Sequence, residues 1–131
     1  MKIHHPGTWA RASGYANAVE ATGRQLLVAG QIGWNPETGQ FETDDLADQV
    51  RQALSNIVAL LKEAGADPSH LARLTWYITD RDEYMDAREE IGIAYREIIG
   101  KHYPAMSVVI VSALIEERAK VEIEATAVLP D

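Results

Sequence analysis

Ala119-Lys120-Val121-Glu122-Ile123-Glu124-Ala125-Thr126-Ala127-Val128-Leu129 is the stretch on which the fold turns. Val121, Ile123, Ala125 and Ala127 alternate with Glu122, Glu124 and Thr126. A period of two predicts a β-strand with one apolar and one polar face. Upstream, Met106 to Val111 predicts another strand, apolar at both parities: Met106, Val108 and Ile110 on one side, Val109 and Val111 on the other. Apolar residues on both sides imply burial on both sides.

Working back, a helix is predicted from about Asp82 to His102, closed by Pro104, with Tyr84, Ala87, Ile91, Ala94, Tyr95 and Ile98 as its stripe. Leu71 to Thr79 predicts a strand. A longer helix opens near Thr43 with Asp44, Asp45 and Asp48, charges suited to the positive end of a helix dipole. Leu46, Val50, Ala53, Leu54, Ile57, Val58 and Leu61 form its single stripe, and Gly65 is a left-handed stop. Before it, Gln25 to Ile32 predicts a strand and Tyr15 to Ala21 a weaker one, with Gly23 between them at hairpin spacing. Asn35-Pro36-Glu37-Thr38-Gly39 predicts a turn. The order β-β-α-β-α-β-β gives an α+β domain, one mixed sheet with two helices packed on one face. The bare face, which carries Glu122 and Glu124, then requires a second subunit to cover it.

The 131 residues suit a single domain spanning 1–131. No cysteine is present, which excludes disulfide frameworks, thiolate metal sites and cysteine nucleophiles. The formal charge of −8 opposes binding to a phosphate backbone. The start of the chain has no apolar core of a secretory signal, and the strongest apolar run, Val108 to Val111, is far short of the ~20 residues that span a bilayer. The expectation is a soluble cytoplasmic protein that binds neither nucleic acid nor membrane.

The candidate chemistry is sparse. His4, His5, His70 and His102 lack metal-ligand spacing, and no dinucleotide fingerprint, P-loop or nucleophile elbow occurs, so neither metal nor cofactor is expected. In Ala29-Gly30-Gln31-Ile32-Gly33, Gly30 is either a point of close backbone approach or a place where main-chain groups stay open to a ligand. Glu122 and Glu124 are either a solvated sheet surface or acid/base groups at an interface. Arg88 falls on or beside the apolar stripe of its helix. It either pairs at the surface with Asp82, Asp86 or Glu89, or directs a guanidinium into a pocket to hold a carboxylate.

Nearly the whole chain resembles the Rid family, the reactive intermediate deaminases also called YjgF or L-PSP proteins. The likeness rests on Ser13 to Val19, Leu27-Val28-Ala29-Gly30-Gln31-Ile32-Gly33 with Asn35-Pro36-x-Thr38-Gly39, Gln49 to Asn56, Ala64-Gly65-Ala66, the strand ending at Asp80, Tyr103-Pro104-Ala105, and Val121-Glu122-Ile123-Glu124-Ala125. The resemblance implies a chorismate-mutase-like homotrimer that binds a small metabolite in clefts between subunits. It implies hydrolysis of small enamines or imines with release of ammonia. Glu122 would position water, while Tyr15 and the backbone at Gly30 would give hydrogen bonds. An arginine usually following the Pro-x pair would clamp the substrate carboxylate. Here that position is Met106, and the serine often found before the glycine is Ala29. Arg88 stands where asparagine is common in the family. Arg88 is therefore expected to supply the cation from a new direction, with Val108 on the same strand side as Met106 among the substrate-binding residues. The altered site suggests a different and larger enamine, such as an aminomuconate-like intermediate. The alternative is a non-catalytic trimer that binds a metabolite; a ribonuclease or translation inhibitor is disfavoured by the charge.

Overall fold

The computed structural model describes residues 1–131. Its elements are β1 (Lys2–His4), β2 (Ala18–Glu20), β3 (Arg24–Ile32), α1 (Leu46–Glu63), a 3-10 turn (Pro68–His70), β4 (Leu71–Ile78), α2 (Arg81–Ile98), β5 (Ala105–Ile110) and β6 (Val121–Leu129). The predicted order holds from β2 to β6, with β1 as an addition. β3, β6, β4 and β5 form a four-stranded mixed sheet in that spatial order. β6 runs antiparallel to both neighbours, and β4 and β5 are parallel, as the α2 crossover requires.

β6 behaves as its alternation dictates. Val121, Ile123, Ala125 and Ala127 are buried beneath the helices, and Glu122 and Glu124 emerge on the other face. Leu74, Trp76 and Ile78 of β4 complete that floor. Above it, Val50, Ala53, Leu54, Ile57 and Leu61 of α1 are fully buried. Each of the larger aliphatic side chains contributes about 1.5–3 kcal/mol by leaving water. Asp45 caps α1 by accepting from the Asp48 amide at 3.0 Å. Two polar residues on the buried side of α1 are fully used. Gln49 donates to the Thr43 and Arg118 carbonyls and accepts from the Lys120 amide, and Asn56 donates to the Ile32 and Trp34 carbonyls. They hold the loops at one end of the sheet, after β3 and before β6, against the helix.

Three expectations need correction. β2 does not form a hairpin with β3; only Ala18–Glu20 is extended, and it pairs with β1 in a separate two-stranded ladder. Gly23 serves close approach instead: a Cβ there would stand 2.0 Å from the Leu129 carbonyl oxygen. α2 stops at Ile98 rather than His102, because the chain turns at Gly100 with φ 91°. His102 is consequently not in a helical turn; its Nε2 lies 2.7 Å from the Leu71 carbonyl oxygen.

No helix is long and apolar enough to cross a membrane. The sheet face opposite the helices is bare, with Leu27 73% exposed and Val109 of β5 41% exposed. On the helix side, Val108 and Ile110 of the edge strand β5 are also exposed, since α2 does not reach over them.

Candidate functional site

Two concentrations of candidate side chains arise, one on each side of the sheet. On the bare face, β3 and β6 pair regularly until Val28 faces Ala125, and pairing resumes with Gln31 opposite Ile123. Ala29 and Gly30 together oppose the single residue Glu124, a bulge that interrupts the ladder and leaves backbone groups there out of register. The Glu122 side chain lies directly over Gly30: a Cβ at Gly30 would stand 2.3 Å from Glu122 Oε2. Gly30 is thus a residue of close approach, and what approaches is a carboxylate.

The two glutamates of β6 differ in commitment. Glu124 accepts from the Tyr77 hydroxyl at 2.7 Å, and this bond is the main reason the Tyr77 phenol is held above its usual range. Glu122 is half-buried and has no hydrogen-bond partner or ion pair within the chain.

On the helix side, a cleft of about 710 Å³ opens between α2, β5 and the segment at Ser13 to Tyr15. That segment is pinned by the Ala16 amide donating to the Pro104 carbonyl at 3.0 Å, which brings Tyr15 to the cleft wall. Met106 and Val108 enter from β5, where they sit beside Leu74 and Trp76 of β4. Arg88 and Arg96 enter from α2. The Arg88 Nε donates to the Met85 carbonyl at 3.2 Å, and no carboxylate lies within ion-pairing distance of either arginine. The surface pairing of Arg88 with Asp82, Asp86 or Glu89 is therefore absent. The remaining wall is aromatic: Tyr95 stacks on Tyr103 with centroids 5.3 Å apart, and Trp76 lies 6.4 Å from Tyr95. Burial pushes the Tyr84 phenol up, and the Arg88 charge partly opposes this. No group of three or more His, Asp or Glu side chains comes together to hold a metal ion.

The Endoribonuclease L-PSP family profile matches residues 7–129 of this chain. The chain belongs to the Rid family. Human 2-iminobutanoate/2-iminopropanoate deaminase is 31% identical over 114 residues, covering 87% of this chain and 79% of its own length. A Rid-family protein of unknown function from Yersinia pestis superposes with a TM-score of 0.87 at 32% identity, over 98% of both chains. TdcF from E. coli, solved with bound serine, gives a TM-score of 0.69 at 31% identity, over 98% of this chain and 99% of its own.

Set against the Rid resemblance, the predicted site residues divide into two groups. Tyr15, Arg88, Met106 and Val108 line one cleft. Ala29, Gly30 and Glu122 lie together on the opposite sheet face and do not enter that cleft in the same chain. Strand parity already contained this division, because Met106 registers with buried Leu74 whereas Glu122 registers with Tyr77 on the bare face. Arg96, Trp76, Tyr95 and Tyr103 were not among the predicted site residues. The stripe through Tyr84 and Tyr95 reads as core, as Tyr95 is; the signal that a cleft also runs along this helix is Arg88-x-x-x-Gly92-x-x-x-Arg96, two cations flanking a glycine on one helix face.

Proposed function

We propose that this Rid-family protein hydrolyses a small enamine or imine, releasing ammonia, at a site assembled between the subunits of a homotrimer in the cytoplasm. Glu122 and the Ala29–Gly30 bulge of one subunit face the cleft of its neighbour, which contributes Tyr15, Arg88, Met106 and Val108. The division of these residues between two faces of one chain, together with the bare apolar face around Leu27 and Val109, supports assembly by a second copy. The human relative, named as a 2-imino acid deaminase, supports the reaction class.

The observation that carries this reading is the contrast between the two glutamates. Glu124 is engaged by Tyr77, while Glu122 stands unpaired against a glycine that alone leaves room for it. A free carboxylate of this kind can orient a water and accept its proton. The water oxygen then bonds to the imine carbon, the C=N electron pair moves to nitrogen, and nitrogen takes up a proton. Collapse of that adduct breaks the C–N bond, forming the carbonyl and releasing ammonia. An enamine enters the same sequence after protonation at carbon. The substrate carboxylate is held by Arg88, since the Met106 thioether cannot pair with it.

The test is ammonia release from freshly generated enamines and imines by the native protein and by Glu122→Gln. A loss of about 10²–10⁴-fold in the variant is expected for a general base. Turnover undiminished in Glu122→Gln overturns the assignment. Tight binding without turnover across the panel supports a metabolite-binding trimer instead, a reading favoured by Met106 in the clamp position.

A further inference from the structure

Tyr15 and Tyr103 line two pockets. One is the cleft under α2; the other, of about 590 Å³, lies between the N-terminal segment and the connection from α2 to β5. No residue of the four-stranded sheet lines this second pocket, so it is separate from the bare face that another subunit would cover.

Both of its walls are held in place. On one side the Tyr95 hydroxyl donates to the His102 carbonyl at 2.6 Å, and Tyr103 stacks on the Tyr95 ring. On the other, the Trp9 amide donates to the Pro6 carbonyl at 3.1 Å and closes a turn. Asn17 Nδ2 donates to His5 Nδ1 at 3.3 Å, which leaves the imidazole proton on Nε2, 3.4 Å from the Trp9 carbonyl oxygen. The His5 and Trp9 rings meet edge to face, with centroids 6.3 Å apart. His5 is thus a strut with both nitrogens in use, bracing the turn that carries Trp9. Yet Trp9 is 58% exposed, so the fold gains little burial from the indole it braces. A large, flat side chain fixed at a surface is suited to recognition.

The charge around it is a second, independent observation. The chain has 20 Asp+Glu against 12 Lys+Arg, but this pocket is lined by Arg11 and Lys101 and by no carboxylate. Neither cation has an ion-pair partner. Lys101 follows the end of α2 at Ile98, where the partial negative charge of the helix offsets part of its own. The pocket therefore suits one negative charge better than the two of a phosphate monoester. The Arg11 guanidinium is shaped to hold a carboxylate through two parallel hydrogen bonds.

The geometry points to a binding site for a planar aromatic carboxylate, distinct from the cleft under α2. The aromatic ring lies against the Trp9 indole, and the carboxylate pairs with Arg11, with Lys101 beside it. An aliphatic acid would forgo the indole face, and a neutral arene would forgo the cations. The site holds whatever reaction the cleft performs.

Calorimetric titration of the native protein tests this with three probes. These are 2-naphthoate; 2-naphthamide, the same rings without the charge; and adamantane-1-carboxylate, the same charge without a flat face. 2-Naphthoate is expected to bind about tenfold more tightly than 2-naphthamide, the value of one charge-assisted contact. It should bind severalfold more tightly than adamantane-1-carboxylate, which cannot stack. Arg11→Gln should weaken 2-naphthoate about tenfold and leave 2-naphthamide unchanged. Trp9→Ala should weaken both naphthyl probes severalfold, with the thermal midpoint showing the fold intact. Arg88→Gln, in the cleft, should leave 2-naphthoate binding as it is. Equal affinity for the two naphthyl probes overturns the proposal, as does an absence of 2-naphthoate binding or binding that survives both Arg11→Gln and Trp9→Ala. Binding lost in Arg88→Gln assigns the probe to the cleft and overturns the separate site.

Discussion

α1 and α2 are each 18 residues long and pack over the same sheet face, yet α1 buries nine of its residues and α2 only Ile91, Ala94 and Tyr95. α1 lies over β3 and β6, with aliphatic side chains and the two fully bonded amides Gln49 and Asn56. α2 lies toward the β5 edge, where its inner surface is partly a cleft lined by tyrosines, arginines and a glycine. Equal length and similar periodicity thus conceal different tasks. α1 holds the fold together, and α2 gives up burial in exchange for an accessible recognition surface.

The largest expected effect falls on α1. Leu54→Ala removes a fully buried side chain and should cost about 2–5 kcal/mol in chemical denaturation. A Leu54→Ala protein as stable as the native one would break the division of labour. Second in size is Gly30→Ala, which acts on the bare face rather than on either helix. The new methyl displaces the Glu122 carboxylate, whose flexible end can swing away, so stability should change little. Turnover should drop by about tenfold to a hundredfold as the carboxylate leaves its position. Unchanged kinetics there would detach Glu122 from the reaction.

Tyr95→Phe comes third, at about 1 kcal/mol for its hydrogen bond to the His102 carbonyl. Burial raises the Tyr95 phenol above the ordinary tyrosine value of about 10. The folded state therefore retains a proton that the unfolded chain loses, so this contribution is fully present below pH 10 and declines as pH rises beyond it. Tyr95→Phe should flatten the alkaline fall in stability, read from unfolding midpoints at increasing pH. The smallest effect has the opposite sign. Gly92→Ala should stabilise α2 by up to ~1 kcal/mol through helix propensity while narrowing the cleft between the arginines. Gain in stability with loss of ligand affinity would sharpen the contrast between the helices; gain in both would weaken it.

The same contrast explains what could be read before the structure. The α1 stripe and the β6 alternation are legible because burial is complete on one side and nearly absent on the other. Parity on β6 also places Glu122 and Glu124 together on the bare face. It cannot show that Tyr77 engages Glu124 alone, since that depends on a diagonal contact between strands. β1 escapes notice because three residues carry no usable period, and its pairing with β2 is settled by the chain path around them. Periodicity on α2 identifies an inward face without revealing whether anything covers it. Tyr84 and Tyr95 consequently read as core, while Arg88 reads as an anomaly. The extra helical turn assigned up to His102 reflects the absence of proline before Pro104, with Gly100 the residue that ends it.

The position of β6 also bears on how the protein is made. It lies between β3 and β4, so both of those strands lack their principal partner until it arrives, and Arg24 finds its register opposite Leu129. On the ribosome, α1 and the parallel β4–α2–β5 unit can emerge early, but the sheet has a gap at its centre until residues 121–129 are free. The nascent chain must then hold Leu27, Leu74 and Trp76 without their β6 neighbours, a state open to association with other chains. Completion of the sheet therefore waits for residues 121–129 to leave the ribosome, and its rate is expected to be governed by one long-range strand insertion.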